Sequence, residues 1–240
     1  MNILAIGAHG DDLELFCGGT LALYAQRGDK VFMAVVTDGR GRPQGDPAQI
    51  VAIRKAESTE SAAVIGAELV WMGFPDGGLW FDEPTRHTFI EMIRECRPDV
   101  IITHPADDYH PDHKTTNRLV MDAAQIARTA NYPSQFVPHR AIVPIAFMES
   151  ERGIGFIPEE YVDIERVWAQ KLAMLDCHRS QLMPAGYDPD FVLPPPDANV
   201  FHHYAEALGA FRGLAVNTRY AEGFRFWQAA NRIVTTRVLP

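Results

Sequence analysis

The segment Ala8-His9-Gly10-Asp11-Asp12 places one imidazole and two carboxylates within four residues, directly after an apolar run. A metal ion explains such a density. Imidazole nitrogen and carboxylate oxygen are both good zinc ligands, and the cation offsets the repulsion between the carboxylates. Taken alone, the segment reads equally well as a solvated loop with an Asp helix cap. A second cluster changes the balance. His104-Pro-Ala-Asp-Asp-Tyr-His110-Pro-Asp-His113 holds three histidines and three aspartates in ten residues. Its bland reading is a helix N-terminus capped by Asp112. Two such loops facing each other supply three protein ligands and leave one position open for water. That is the pattern of a catalytic zinc, not of a closed structural one.

The clusters need a frame that brings them together. Apolar runs predict strands at 3–8, 30–37, 68–72, 99–103 and 141–148, the last weakened by Pro144. Helical patterns fall between them. The first opens at Gly18-Gly19-Thr20 and stops at Gly28. The second starts at Asp46-Pro47, an N-cap followed by proline at the first helical position, and runs to about residue 65. Two more cover 85–96 and 113–129. Beyond them, 162–180 reads as a helix, 184–199 as a Pro- and Asp-rich loop, and 205–214 as a short helix. Strand alternating with helix is the pattern of an α/β fold: a Rossmann-like, doubly wound, mostly parallel sheet with helices on both faces. With no linker or repeat in view, one domain over 1–240 is expected. In such sheets ligands bind beyond the carboxyl ends of the strands, where the order reverses. Both clusters lie there, as do Thr37-Asp-Gly-Arg40 and Pro75-Asp-Gly-Gly78.

Composition narrows the partners. The 240 residues are 47% hydrophobic, enough for one substantial core, and the formal net charge is −9. No basic stripe exists to neutralise a nucleic-acid backbone, so no nucleic-acid partner is expected. No run approaches bilayer length, and the N-terminus lacks the basic start of a signal peptide. Cys17, Cys96 and Cys177 are odd in number and far apart, which points to a reduced, cytoplasmic compartment.

At its motifs the chain resembles the LmbE/PIG-L family of metal-dependent N-acetylglucosaminyl deacetylases. That family carries AHPDD after the first strand and HPDH after the fourth. Here they read Ala8-His9-Gly10-Asp11-Asp12 and His110-Pro111-Asp112-His113. The resemblance continues in Gly18-Gly-Thr-Leu21, Arg54-Lys-Ala-Glu57, Gly73-Phe-Pro-Asp76, His178-Arg-Ser-Gln181 and Tyr220-Ala-Glu-Gly-Phe224. It implies that His9, Asp12 and His113 ligate the metal, zinc in the first instance with Fe2+ as the alternative. It implies Asp11 as general base. His110, as imidazolium, would stabilise the oxyanion and protonate the leaving amine, with Asp112 orienting it. The expected reaction is deacetylation of an N-acyl small molecule, an N-acetyl amino sugar conjugate. The resemblance also implies a homo-oligomer.

Two departures stand out. The usual proline of the first motif is Gly10. The family's Thr-x-Gly-Glu after the second strand is Thr37-Asp-Gly-Arg40 here, so an acid has become a base and an anionic substrate gains ground. Arg54 matches a position that contacts sugar hydroxyls, against a reading as a solvated helix charge. Asp76 reads equally as substrate contact and as turn residue. Tyr109 reaches the substrate carbonyl or packs. His104 is better read as a supporting or core histidine, His202-His203 as a surface loop pair, Cys17 as helix packing, Trp71 as core and Trp80 as pocket wall. Two other functions compete. A hydratase would add the same zinc-activated water to an unsaturated carboxylic acid held by Arg40 and Arg42. A nucleotide-binding module is opposed by the missing GxGxxG.

Overall fold

The computed structural model describes all residues except 42–45, 151–152, 184–187, 189, 196 and 230–231. Arg42 and part of the 184–199 loop therefore lie outside the described residues. Seven strands form a sheet in the order β3-β2-β1-β4-β5-β7-β6. They are β1 (Asn2–Gly7), β2 (Lys30–Thr37), β3 (Glu68–Phe74), β4 (Val100–Thr103), β5 (Ile145–Phe147), β6 (Glu160–Asp163) and β7 (Ala221–Phe226). The first five run parallel, and β7 pairs antiparallel with both β5 and β6. The order reverses between β1 and its neighbours β2 and β4, which opens the crevice expected of a doubly wound sheet.

The helices are α1 (Asp12–Gln26), α2 (Pro47–Val64), α3 (Glu83–Cys96), α4 (Pro111–Ile126), α5 (Trp168–Leu175), α6 (Arg179–Leu182) and α7 (Val200–Leu214). Strand alternation divides the core in two. Ile3 and Ala5 of β1 face one apolar cluster, built with α1 and α5. Leu4 and Ile6 face the other, built with α3 and α4. Among the described residues no helix is long and apolar enough to cross a membrane.

Several elements differ from their sequence reading. Helix α1 starts at Asp12 rather than Gly18, so the glycine pair sits inside it. Those glycines admit close neighbours: a Cβ at Gly19 would lie 2.7 Å from Ile164. The expected helix over 162–180 is broken up. Tyr161 and Val162 pair with β7, a 3-10 turn follows at Glu165–Val167, and only then come α5 and α6. Helix α7 begins five residues earlier than expected, because Asn199 caps it by accepting from the N–H groups of Phe201 and His202. His202-His203 thus opens a helix, and His202 Nε2 meets Asp176 at 2.8 Å. Trp80 is 74% exposed and does not line the cleft described below, and Trp71 is half-buried on edge strand β3.

One buried clamp fixes α1 against the far end of the sheet. Glu222 of β7 accepts from the backbone N–H groups of Gly19 and Thr20, from Thr20 Oγ1, and from Lys171 Nζ of α5 at 2.6 Å. Lys171 also donates to the Glu14 and Leu15 carbonyls. The pair is fully desolvated, so each charge depends on its full complement of partners.

Candidate metal centre and cleft

The two clusters meet where β1 and β4 end. His9 Nδ1 lies 3.3 Å from His113 Nε2 and 3.4 Å from Asp12 Oδ2, and His113 Nε2 lies 3.3 Å from Asp12 Oδ1. A tetrahedral zinc with ligands at about 2.0–2.1 Å has ligand–ligand edges of about 3.3–3.4 Å. The His9–His113 edge therefore has the length the ion requires, and the Asp12 carboxylate approaches each ring at the same spacing with a different oxygen. Three donor groups overlap here, each holding at least one of the two histidines: His9/His110/His113, Asp12/His104/His113 and His9/Asp76/Asp112.

Carboxylates stand behind both rings. Asp108 Oδ2 is 3.1 Å from His113 Nδ1, an approach that favours a proton on Nδ1 and leaves Nε2 facing Asp12 and His9. Asp76 Oδ1 and Asp112 Oδ2 lie 3.3 and 3.5 Å from His9 Nε2, which directs Nδ1 inward in the same way. Carboxylate-backed histidine is the usual arrangement around a bound metal. The electrostatics agree. Burial disfavours the charged form of His113, but Asp12 and Asp108 outweigh it and lift the ring to about 9. His9 is raised well above its ordinary value against the same burial penalty, by Asp12, Asp112 and Asp76. Burial likewise opposes ionisation of Asp12, yet His113, His104 and His9 hold it well below the usual carboxylate range. A nest of groups this strongly polarised toward cations suits a metal ion.

His104 takes a supporting place, as its position on a buried strand implied. Its Nε2 accepts the Ala8 N–H at 2.9 Å, its ring stacks on His113 at 3.8 Å, and burial with the neighbouring His113 charge lowers it to about 4. Cys17 packs in the core, 3.8 Å from the Met148 sulfur.

The expected partnership of Asp112 and His110 is not found in the expected form. His110 itself caps α4, its Nδ1 accepting the Asp112 N–H at 3.2 Å. The Asp112 carboxylate turns away, to the Gly77 N–H at 2.8 Å and to His9. With Nδ1 accepting the Asp112 N–H, the ring proton falls on Nε2 rather than on both nitrogens of an imidazolium, and burial with the charges of His9 and His113 lowers His110 in the same sense. The cause is geometric: Asp112 sits inside the first turn of α4, where its side chain reaches across to the β3 loop.

A cleft of about 540 Å³ opens over the triangle. Asp11, Arg54, Asp76, Tyr109 and His110 line it together with His9, Asp12 and His113. Asp11 Oδ2 is 3.6 Å from the buried Arg54 guanidinium. Arg54 in turn lies 3.5 Å from Glu57, which accepts from both the N–H and the hydroxyl of Ser180 and so ties α2 to α6. Arg40 is not brought to this wall. It is half-exposed and folds back on buried Asp38, donating from Nε at 2.6 Å. Asp108 was not singled out in the sequence, although it lies inside the histidine-rich run. Nor were Leu15, Phe16, Val200, Phe201 and Tyr204, which line the cleft with Gly39, Gly41 and the Gln181 of the His178-Arg-Ser-Gln181 motif. Only the antiparallel end of the sheet and α7 bring Val200, Phe201 and Tyr204 there.

Gly10 has a spatial reason. It is not among the residues with positive φ, but a Cβ on it would lie 2.7 Å from Ser58 Oγ and 3.3 Å from Arg54. Ser58 Oγ is committed to the Arg54 carbonyl at 2.9 Å.

The family model described as PIG-L, GlcNAc-PI de-N-acetylase, matches residues 4–124. A diacetylchitobiose deacetylase of Thermococcus kodakarensis is 27% identical over 93% of this chain and 82% of its own length. A 4-oxalmesaconate hydratase of Pseudomonas putida is 25% identical over 74% and 73%. The solved N,N'-diacetylchitobiose deacetylase of Pyrococcus horikoshii superposes with a TM-score of 0.78, at 24% identity over 94% of this chain and 83% of that one. A match over half of the chain that includes both donor clusters decides the matter: the chain belongs to the PIG-L, GlcNAc-PI de-N-acetylase, family.

Proposed function

We propose that this protein is a zinc-dependent amide hydrolase that removes the acyl group from an N-acylated amino sugar or its conjugate, N-acetyl being the simplest case. The observation that carries the reading is the open triangle of His9, Asp12 and His113 at the floor of a cleft that also exposes Asp11 and His110. His9, Asp12 and His113 would hold the ion, with Asp76, Asp112 and Asp108 fixing the two rings. When bound, zinc supplies a Lewis acid for the carbonyl and lowers the pKa of water toward neutrality. Asp11 takes the proton of the attacking water. His110 offers its Nε2–H as a hydrogen bond to the developing oxyanion, and the proton that Asp11 has taken passes to the leaving amine. Arg54 and Asp76 bind sugar hydroxyls on the polar wall, and Tyr109 covers the mouth.

A second reading, hydration of an unsaturated carboxylic acid, is supported by the Pseudomonas relative. Of the two arginines that reading calls on, Arg40 is already engaged by Asp38, which weighs against it, and Arg42 lies outside the described residues. Protein reconstituted with zinc and offered N-acetylated amino sugars should release acetate and free amine. Hydration of an unsaturated dicarboxylic acid with no acetate release would overturn the assignment in favour of the hydratase.

A further inference from the structure

The cleft has two chemically different lobes. On the β2–β3 side of the crevice the wall is polar: Gly39 and Gly41 follow β2, Asp76 follows β3, and Arg54 and Gln181 are joined through the Glu57–Ser180 contacts. On the β5–β7 side it is apolar. Leu15 and Phe16 of α1 meet Val200, Phe201 and Tyr204 of α7, which packs on β7. Phe16, 2% exposed, is the buried member of this wall and meets Tyr204 edge-on with ring centroids 6.4 Å apart. Val200, 62% exposed, stands at the mouth. The donor triangle lies between the two lobes.

An amide carbonyl carbon carries two substituents that leave it in divergent directions. With the carbonyl at the triangle, one substituent enters each lobe. Sugar hydroxyls turned toward Phe16 and Val200 would lose their hydrogen bonds, so the amine side belongs in the polar lobe. The acyl side then faces the apolar wall. That wall is made by five apolar or aromatic side chains, from buried Phe16 to exposed Val200, more apolar surface than one methyl group covers. Large apolar side chains left exposed at the rim of a cleft mark a surface that a ligand covers.

We infer that the apolar lobe binds a linear acyl chain longer than acetyl, so that the chain is an N-deacylase with a preference for medium-length acyl groups. The inference rests on the amide-hydrolase reading above and names the acyl class that this reading leaves open.

The test is a series of N-acetyl, N-butanoyl, N-hexanoyl and N-octanoyl glucosamine with the zinc-loaded protein, read as free amine released. Each fully buried methylene contributes about fourfold in affinity, so kcat/KM should rise at least tenfold from acetyl to hexanoyl. Val200→Asp places a charge at the mouth of the lobe. It suits the first turn of α7, where a carboxylate complements the helix end, so folding is preserved. It should lower the octanoyl-to-acetyl ratio about tenfold or more. A kcat/KM that falls with chain length, or a ratio unmoved by Val200→Asp, overturns the inference and leaves the hydrolase reading standing. No amine from any member, acetyl included, overturns both.

Discussion

Asp108→Asn is the sharpest probe of the carboxylates behind the donor triangle. Asp108 serves two groups at once: Oδ1 accepts the His110 N–H at 2.9 Å, and Oδ2 faces His113 Nδ1 at 3.1 Å. An asparagine keeps the shape but cannot keep both contacts. With its oxygen toward His110, its amide N–H₂ meets His113 Nδ1 and favours the tautomer whose proton lies on Nε2, inside the triangle. With the amide reversed, the N–H₂ confronts the His110 N–H and leaves two donors facing each other. Either orientation damages one histidine of the cleft. Removal of a carboxylate behind a ligating histidine lowers metal affinity about 10–100-fold, or ~1.4–2.7 kcal/mol. Zinc affinity measured against a chromogenic chelator should fall by that factor while the far-ultraviolet circular dichroism stays unchanged. Asp107→Asn is the control, because Asp107 is largely exposed and pairs with Arg225 on the surface. Zinc affinity within threefold of the wild type for Asp108→Asn would refute the assignment of His113 as a ligand held by this carboxylate.

Other outcomes follow from the same geometry. Asp11→Asn should retain zinc and lose about two to four orders of magnitude in turnover, whereas Asp12→Asn should bind zinc weakly and recover part of its activity in excess metal; the reverse rescue pattern exchanges their roles. Arg40→Gln separates two roles for that residue: a raised KM confined to phosphorylated amino sugars marks anion recognition, and an equal KM change for neutral and charged substrates marks Arg40 as an anchor of Asp38. Lys171→Met leaves Glu222 buried without its cation and should destabilise the fold by about 3–5 kcal/mol in urea unfolding. Loss of less than 1 kcal/mol there would mean that the Gly19, Thr20 and hydroxyl donors satisfy Glu222 alone (a neutral buried bond contributes ~1 kcal/mol).

The parallel half of the sheet was legible because its strands are short apolar runs, buried on both faces in β1, β2, β4 and β5 and half-buried in edge strand β3, separated by helices. Asp46 and Pro47 start α2 where the sequence put them. Both donor clusters were legible for the same reason: they sit at strand ends, where local order fixes position. The antiparallel end was not. Its key residue, Glu222, is a buried charge inside a strand, which breaks the apolar pattern, and its partners lie about 50 and 200 positions away. The start of α1 was hidden because Asp12 and Glu14 look like loop residues while Gly18-Gly19 looks like a boundary. Asp112 was misdirected because its acceptor role depends on Gly77, 35 residues upstream. The pairing of Arg40 with Asp38, two residues apart, was within reach of the sequence and was outweighed by the charge reversal at that position.

The crowding at Gly10 also constrains history. Any descendant of this chain that acquires proline in the His-x-Asp-Asp motif brings new carbons to within 2.7 Å of Ser58 Oγ. The serine would have to rotate and abandon its bond to the Arg54 carbonyl, about 1 kcal/mol, beside the very guanidinium that lines the cleft. Exchange of Ser58 for alanine or glycine removes the obstacle beforehand. The two positions, 48 residues apart, therefore form an epistatic pair with a preferred order of substitution, the helix residue first and the motif residue second. Variants of this chain in which Gly10→Pro is introduced first should be less active, and those in which Ser58→Ala precedes it should not.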